Sequence, residues 1–132
     1  MTDLDYMKMA LEASARGVAA GQSPFGACIV RRDKQTGVED VVVCTHNVVL
    51  KTCDSTAHAE INALRQACQK LGTIDLSDCT IYSTTEPCPM CFTAIHWAGI
   101  KRIVSGSDIA DAQRAGFSEL PISNATMCRV SN

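Results

Sequence analysis

The chain has 132 residues, of which 46% are hydrophobic and 20% charged, and its formal net charge is −2. This size suits one domain, the composition excludes a largely disordered chain, and the charge gives no overall attraction to a nucleic acid. Because the sequence has no run of eighteen apolar residues and its acidic start lacks the features of a secretory signal, we expect a cytoplasmic protein with no membrane span.

The first half of the chain predicts a helix, a β-hairpin and a second helix. The elements in order are a helix over 3–20, strands over 24–31 and 41–46, a loop over 47–56 and a helix over 57–71. Thr2 and Asp5 have the spacing of a capping box at the start of the first helix. Apolar residues recur along that helix at helical spacing, at Leu4, Met7, Leu11 and Val18.

The second half alternates strands and helices. Its elements are a strand over 79–84, a helix over 89–98, a strand over 100–105 and a short helix over 108–115. Residues 118–132 show no clear periodicity, and 126–130 are the candidate for a short fifth strand. The alternation predicts one sheet covered by helices on both faces.

Eight cysteines would suggest disulfides in a small secreted protein. Because we expect a cytoplasmic location, we predict that Cys28, Cys44 and Cys68 are free thiols packed in the core. Only Cys88 and Cys91 have the spacing of metal ligands.

His58 and Glu60, followed by Cys88 and Cys91, form the pattern His-x-Glu … Pro-Cys-x-x-Cys. This is the zinc signature of nucleobase and nucleoside deaminases, in which the glutamate is an acid/base and not a ligand. A catalytic zinc takes three protein ligands and keeps one position for water, and His58, Cys88 and Cys91 supply three. We expect each ligand in the first turn of its helix, so that two positive helix ends point at one metal and Glu60 reaches it too.

Three other interpretations of these residues are open. The Cys-x-x-Cys could be a redox pair, although the prolines on both sides of Cys88 count against it. Cys53 could complete a closed structural zinc site. Glu60 could be a helix-capping residue, although a capping box would need Ser or Thr where Ala57 stands.

Beyond the zinc motif, residues 4–120 resemble the cytidine-deaminase-like superfamily and, within it, guanine deaminases of the bacterial type. The resemblance is carried by five segments: Pro24-Phe25-Gly26-Ala27, the loop from His46-Asn47 to Asp54, the two halves of the zinc motif, and Asp111 to Phe117. It implies an α/β fold, a three-layer α-β-α sandwich with a central mixed sheet of about five strands. It also implies one catalytic Zn²⁺ per chain, a small-molecule purine substrate and a homodimer.

The resemblance assigns roles to individual residues. Glu60 is the acid/base, and Asp111 is a second acid that contacts the amino group of guanine. Asn47 hydrogen-bonds the purine, the backbone N–H of Ala59 binds the substrate carbonyl, and Phe25 lies beside the base. We therefore predict that residues 1–132 are a single zinc-dependent deaminase domain that converts guanine to xanthine and ammonia.

The chain departs from the family's pattern at two places. Ser55 stands where a proline is common, and residues 121–132 do not match the longer C-terminal segment that bacterial guanine deaminases exchange between subunits. The loop over 47–51 is also similar to that of plant guanosine deaminases. The alternatives are a guanosine deaminase, a tRNA adenosine deaminase, a cytosine or cytidine deaminase, and a zinc-stabilised interaction domain without activity.

Overall fold

A computed structural model describes residues 1–131 of the chain. Its elements in chain order are α1 (Asp3–Ala19), β1 (Gly26–Arg32), β2 (Glu39–His46), α2 (Val49–Thr52), α3 (Ala59–Leu71), β3 (Cys79–Thr85), α4 (Pro89–Trp97), β4 (Arg102–Ser107), α5 (Ile109–Arg114) and α6 (Asn124–Val130). None of the helices within 1–131 combines the length and the apolarity needed to cross a bilayer.

The four strands form one mixed sheet in the order β2-β1-β3-β4. Strand β1 is antiparallel to both of its neighbours, whereas β3 and β4 are parallel. Helix α1 packs on one face of the sheet, and α3 and α4 pack on the other. The three-layer prediction is confirmed, with four strands where about five were predicted.

Helix α1 faces the sheet with two large residues followed by three small ones, so the prediction of its apolar stripe was largely wrong. Leu4, Leu11 and Val18 are 64%, 51% and 52% exposed. Met7 is buried as predicted, and the other buried positions are Tyr6, Ala10, Ala13 and Gly17. A Cβ atom on Gly26 would lie 2.2 Å from the carbonyl oxygen of Ala10, so glycine is needed where the helix crosses β1. The predicted capping box of Thr2 and Asp5 is present.

The prediction of a fifth strand over 126–130 was wrong, because those residues belong to α6. Ser123 caps this helix by accepting a hydrogen bond from the N–H of Thr126 at 3.1 Å. The carboxylate of Glu86 accepts hydrogen bonds from the backbone N–H groups of Ile109 at 3.0 Å and Asn124 at 2.7 Å. A single carboxylate just after β3 therefore fixes the starts of both α5 and α6.

The prediction that Cys28 and Cys44 are free thiols was also wrong, because they form a disulfide. The two residues are direct partners across β1 and β2, with Cα atoms 4.1 Å apart. Cys68 is a free thiol, as predicted, and is partly buried. Strand register decides which cysteines meet, and the cellular compartment of a protein does not determine its strand register.

The outer edge of β2 is covered by side chains from α1 and α3. Three of its carbonyl oxygens accept side-chain hydrogen bonds: that of Val42 from Lys70 at 3.0 Å, that of Cys44 from Arg16 at 3.5 Å and that of His46 from Asn62 at 3.1 Å. These bonds occupy carbonyls that an additional strand would need.

Candidate active site

Two helices begin with a predicted metal ligand at the N-cap. His58 is the N-cap of α3 and Cys88 is the N-cap of α4, and both have extended backbone conformations. Neither side chain caps its own helix, so each is free to turn toward a shared site. Pro89 occupies the first position of α4, where no N–H is needed, and Cys91 follows within the first turn.

The structure brings these three ligand residues together. The Nδ1 atom of His58 lies 3.6 Å from the Sγ atom of Cys88 and 3.6 Å from that of Cys91. A tetrahedral zinc with Zn–S of about 2.3 Å and Zn–N of about 2.0–2.1 Å places nitrogen and sulfur about 3.6 Å apart. The donor set therefore fits a zinc ion that keeps one position for water. Among residues 1–131, no fourth His, Cys, Asp or Glu joins this group, which counts against the closed site with Cys53.

The three metal-ligand residues, His58, Cys88 and Cys91, which we call the ligand group, hold protons that a metal displaces on binding. A hydrogen bond from Cys91 lowers the pKa of Cys88 to about 4, and the same contact raises the pKa of Cys91. A hydrogen bond with Cys88 also raises the pKa of His58. Zinc requires thiolate and neutral imidazole, so its binding releases these protons.

A cavity of about 210 Å³ opens beside the ligand group. Its wall includes the predicted substrate residues Phe25, Asn47 and Ala59, together with Glu60. Phe117 closes one side, since its ring lies against that of Phe25 with centroids 4.9 Å apart in an edge-to-face arrangement. The cavity is smaller than the clefts of roughly 300–1,000 Å³ that hold drug-sized ligands, so it suits a small molecule.

Glu60 and Ala59 present two different groups to this cavity from the first turn of α3. Glu60 is only 6% exposed. With the protein's own charges alone, burial raises the pKa of Glu60 to about 7, which suits a group that takes and returns a proton near neutral pH. Ala59 is the first residue of the helix, where a backbone N–H has no partner within the helix.

Asn47 offers the cavity an unpartnered acceptor. Its side-chain Nδ2 donates to the carbonyl oxygen of Ser23, and its backbone N–H donates to that of Phe25 at 3.2 Å. Its Oδ1 is buried and has no hydrogen-bond partner within the described chain. A buried acceptor without a partner is costly, so this oxygen is placed to receive a donor from a ligand.

A family model described as "Cytidine and deoxycytidylate deaminase zinc-binding region" matches residues 1–107. The chain belongs to this family. Membership, together with the His58, Cys88 and Cys91 group, makes it a zinc-dependent hydrolase of the deaminase class with one catalytic zinc.

The deaminase is similar to several characterised members. It is 40% identical over 115 residues to guanine deaminase of Bacillus subtilis (strain 168), covering 86% of this chain and 70% of the relative. The X-ray structure of that enzyme matches with a TM-score of 0.82 over 90% of this chain and 73% of the other. A structure of NE0047 in complex with 2,6-diaminopurine matches at 34% identity with a TM-score of 0.86, over 98% of this chain and 69% of the other.

Relatives with a different substrate are also similar. The tRNA-specific adenosine deaminase of Aquifex aeolicus (strain VF5) is 35% identical over 99 residues. The match covers 75% of this chain and 62% of that relative. The chain therefore spans less than two thirds of that enzyme's length.

Asp111 does not line the cavity of this deaminase, so its predicted contact with the substrate stays a prediction. Its carboxylate accepts a hydrogen bond from the backbone N–H of Asp108 at 3.0 Å, within a capping box at the start of α5. It also pairs with Arg114 on the surface. Asp111 borders a separate open groove along β4 and α6, so its charge is used to hold a helix end.

Glu119 is the carboxylate that sequence reasoning missed. It lines the cavity with Glu60, His58 and Cys88. Burial raises the pKa of Glu119, and the nearby Cys88 raises it further. The available signal was an acidic residue two positions after Phe117, just beyond the segment on which the resemblance to guanine deaminases depended.

Proposed function

We propose that residues 1–132 form a single deaminase domain that hydrolyses a free purine base, converting guanine to xanthine and ammonia. The observation that carries this proposal is the unpartnered Oδ1 of Asn47, buried in the wall of a cavity of about 210 Å³. Guanine offers ring N–H donors for such an acceptor. The similarity to Bacillus subtilis guanine deaminase and to a protein bound to 2,6-diaminopurine supports a purine.

The chemistry needs a water, a proton carrier and a leaving group. Zinc held by His58, Cys88 and Cys91 supplies Lewis-acid chemistry, which lowers the pKa of a water to about 7. Glu60 accepts the proton of the attacking water and delivers it to a ring nitrogen beside C2 while the water oxygen bonds to C2. The C2–N bond then breaks, and the amino group leaves as ammonia with a proton from a carboxylic acid. The remaining C2 hydroxyl gives its proton to that carboxylate, which regenerates the acid, and becomes the new carbonyl of xanthine.

The other cavity residues hold the base for this reaction. Asn47 accepts a hydrogen bond from the purine, and the N–H of Ala59 donates to its carbonyl oxygen. Phe25 and Phe117 cover the ring. Glu119 takes the role that the sequence pattern gave to Asp111, because its partly buried carboxyl favours the protonated form that a departing amine requires.

Cavity size and charge favour a free base over the alternatives. A nucleoside or a nucleotide in RNA needs more room than about 210 Å³ with Phe25 and Phe117 closing one side. The net charge of −2 provides no attraction to tRNA, although tRNA-specific adenosine deaminases are among the relatives.

We also infer a homodimer. Large apolar side chains on α4 support it, since Trp97 is 80% exposed and Met90 is 37% exposed. Analytical ultracentrifugation tests this inference, and a monomer at micromolar concentration contradicts it.

Location in the cytoplasm stays a prediction. The disulfide of Cys28 and Cys44 is uncommon in that compartment, so thiol trapping in fractionated cells is the informative measurement.

Ammonia release from a panel of substrates tests the proposed function. Zinc-loaded protein is incubated with guanine, guanosine, adenine, cytosine and a tRNA anticodon stem. We expect release from guanine above all. Release of ammonia from another substrate and none from guanine would contradict guanine as the substrate. No release from any of these compounds would contradict deaminase activity.

A further inference from the structure

We infer that Asn62 is a positioning residue that holds the substrate-binding residue Asn47 in a fixed orientation relative to Glu60. Asn62 belongs to α3, two residues after Glu60, and its backbone N–H donates to the carbonyl oxygen of His58 at 2.9 Å. It is therefore part of the same helical turn that carries the acid/base and a zinc ligand. The inference rests on the proposed function, in which the orientation of Asn47 matters because Asn47 binds the purine.

The side chain of Asn62 joins this turn to the end of β2. Its Nδ2 donates to the hydroxyl of Thr45 at 3.0 Å and to the carbonyl oxygen of His46 at 3.1 Å. Its Oδ1 accepts a hydrogen bond from Gln66 at 3.2 Å, which fixes which way the amide faces. Both donor hydrogens and one acceptor site of the amide are thus engaged. The link has a defined direction because the donors and the acceptor of one amide group are engaged together.

The residue after His46 is Asn47, and the peptide group between them is held from both sides. Asn62 holds the carbonyl of His46, and the N–H of Asn47 donates to the carbonyl of Phe25 at 3.2 Å. In the next peptide group, the ring of His46 donates from Nδ1 to the carbonyl of Asn47 at 2.7 Å. That ring is itself fixed, since it packs against Gly17, where a Cβ would lie 2.8 Å from it. The orientation of the Asn47 backbone, and with it the direction of its side chain, therefore depends on a contact that begins at α3.

Asn47, which binds the substrate, and the acid/base Glu60 lie on different parts of the fold. Their relative position therefore depends on contacts that join the two parts. The backbone N–H of Val48 also donates to the carbonyl of Ala57 at 3.0 Å, which ties the same loop to the start of α3. Loss of the Asn62 side chain should therefore misorient Asn47 without releasing the loop. Small misplacements of a substrate relative to a catalytic group are sufficient to slow a reaction.

A double-mutant cycle between Asn62 and Asn47 tests this inference. We expect Asn62→Ala to lower kcat/KM for guanine about tenfold, and to lower it less than about twofold when Asn47→Ala is already present. A purely structural role for Asn62 predicts the same fold-loss in both backgrounds, and that result would overturn the inference. Wild-type kcat/KM in Asn62→Ala would overturn it as well.

Lys70→Ala is the matched control, because Lys70 lies on the same helix and bonds a carbonyl of the same strand, far along it from Asn47. We expect this variant to keep its kcat/KM. Zinc content and melting temperature are measured for each protein. Asn62→Asp, which keeps the size but lacks the donors, replaces Asn62→Ala if the latter does not fold.

A structural readout separates this inference from the proposed function. In a ¹H–¹⁵N spectrum, the side-chain NH₂ signals of Asn47, assigned by their loss in Asn47→Ala, should shift in Asn62→Ala and not in Lys70→Ala. Unshifted signals in Asn62→Ala would overturn the inference even if guanine is deaminated. Shifted signals in a protein that releases no ammonia from guanine would support the positioning contact and contradict the proposed function alone.

Discussion

The side-chain nitrogen of Asn47 donates a hydrogen bond to the carbonyl oxygen of Ser23, which leaves the side-chain oxygen buried without a hydrogen-bond partner. The opposite orientation of the amide would bring two oxygens into contact, so the Ser23 carbonyl decides which group the ligand meets. Asn47 therefore offers a ligand an acceptor at Oδ1, while Ser23 occupies one of the two hydrogens on its nitrogen.

Replacing this acceptor should weaken the use of guanine. We expect Asn47→Ala to lower kcat/KM for guanine by about 10- to 100-fold, mostly through KM, because the variant loses a buried hydrogen bond to the base. Steady-state kinetics measure the effect. Zinc content should stay at the wild-type level, since Asn47 is not a ligand. Unchanged kcat/KM would show that Asn47 does not contact the substrate.

Glu119 and Asp111 should differ sharply when each is neutralised. We expect Glu119→Gln to lower kcat by about 10²- to 10⁴-fold, the range of a positioned acid or base. Asp111→Asn is the matched control, and we expect it to keep kcat while slightly lowering the melting temperature, because its carboxylate closes the capping box of α5. Loss of kcat in Asp111→Asn with retention in Glu119→Gln would restore the role first predicted for Asp111.

The disulfide between Cys28 and Cys44 should be visible in a thiol count and in stability. Unfolded in a chelator without reductant, the protein should show six reactive thiols, and eight after reduction, because two of its eight cysteines are joined. The bond closes a loop with a sequence separation of 16, so its loss should cost about 3 kcal/mol of unfolding free energy. Cys68→Ala, which removes a free thiol, should show five and then seven. Eight thiols before reduction would contradict the bond.

The ion pair of Asp3 and Arg102 should contribute stability that is lost in acid. The hydrogen bond from Arg102, and then that from Tyr82, lower the pKa of Asp3 from 3.8 to about 2. Because the folded-state pKa lies below the unfolded value, the contribution is complete above about pH 4 and is lost as the pH falls toward about 2. The gap in melting temperature between wild type and Asp3→Asn should therefore be constant above about pH 4 and shrink below it. A gap that does not change with pH would contradict this.

The zinc site could be predicted from the sequence because its requirements are local. The spacing of Cys88 and Cys91 over one helical turn, and the position of His58 at a helix start, determine which atoms can meet. The sheet could be predicted for the same reason, since strand β1 and its turn show their pattern within a few residues.

The rest depends on contacts between distant parts of the chain. The strand predicted at 126–130 is a helix because Ser123 caps it and Glu86, far away in sequence, accepts from the backbone N–H of Asn124. Whether Asp111 or Glu119 lines the cavity depends on which of the two carboxylates is engaged in a helix cap, and in this structure it is Asp111. The pairing of Cys28 with Cys44 depends on strand register, which composition does not contain.

Guanine turnover by the wild type and by Glu60→Gln, each with its zinc content measured, tests the central claim most directly. Glu60 is buried beside the ligand group and is not part of it, so both proteins should hold one zinc per chain. We predict that the wild type converts guanine to xanthine with release of ammonia, and that Glu60→Gln loses this activity by at least about 10²-fold. Full activity in zinc-loaded Glu60→Gln, or no release of ammonia from guanine by the zinc-loaded wild type, would contradict the account.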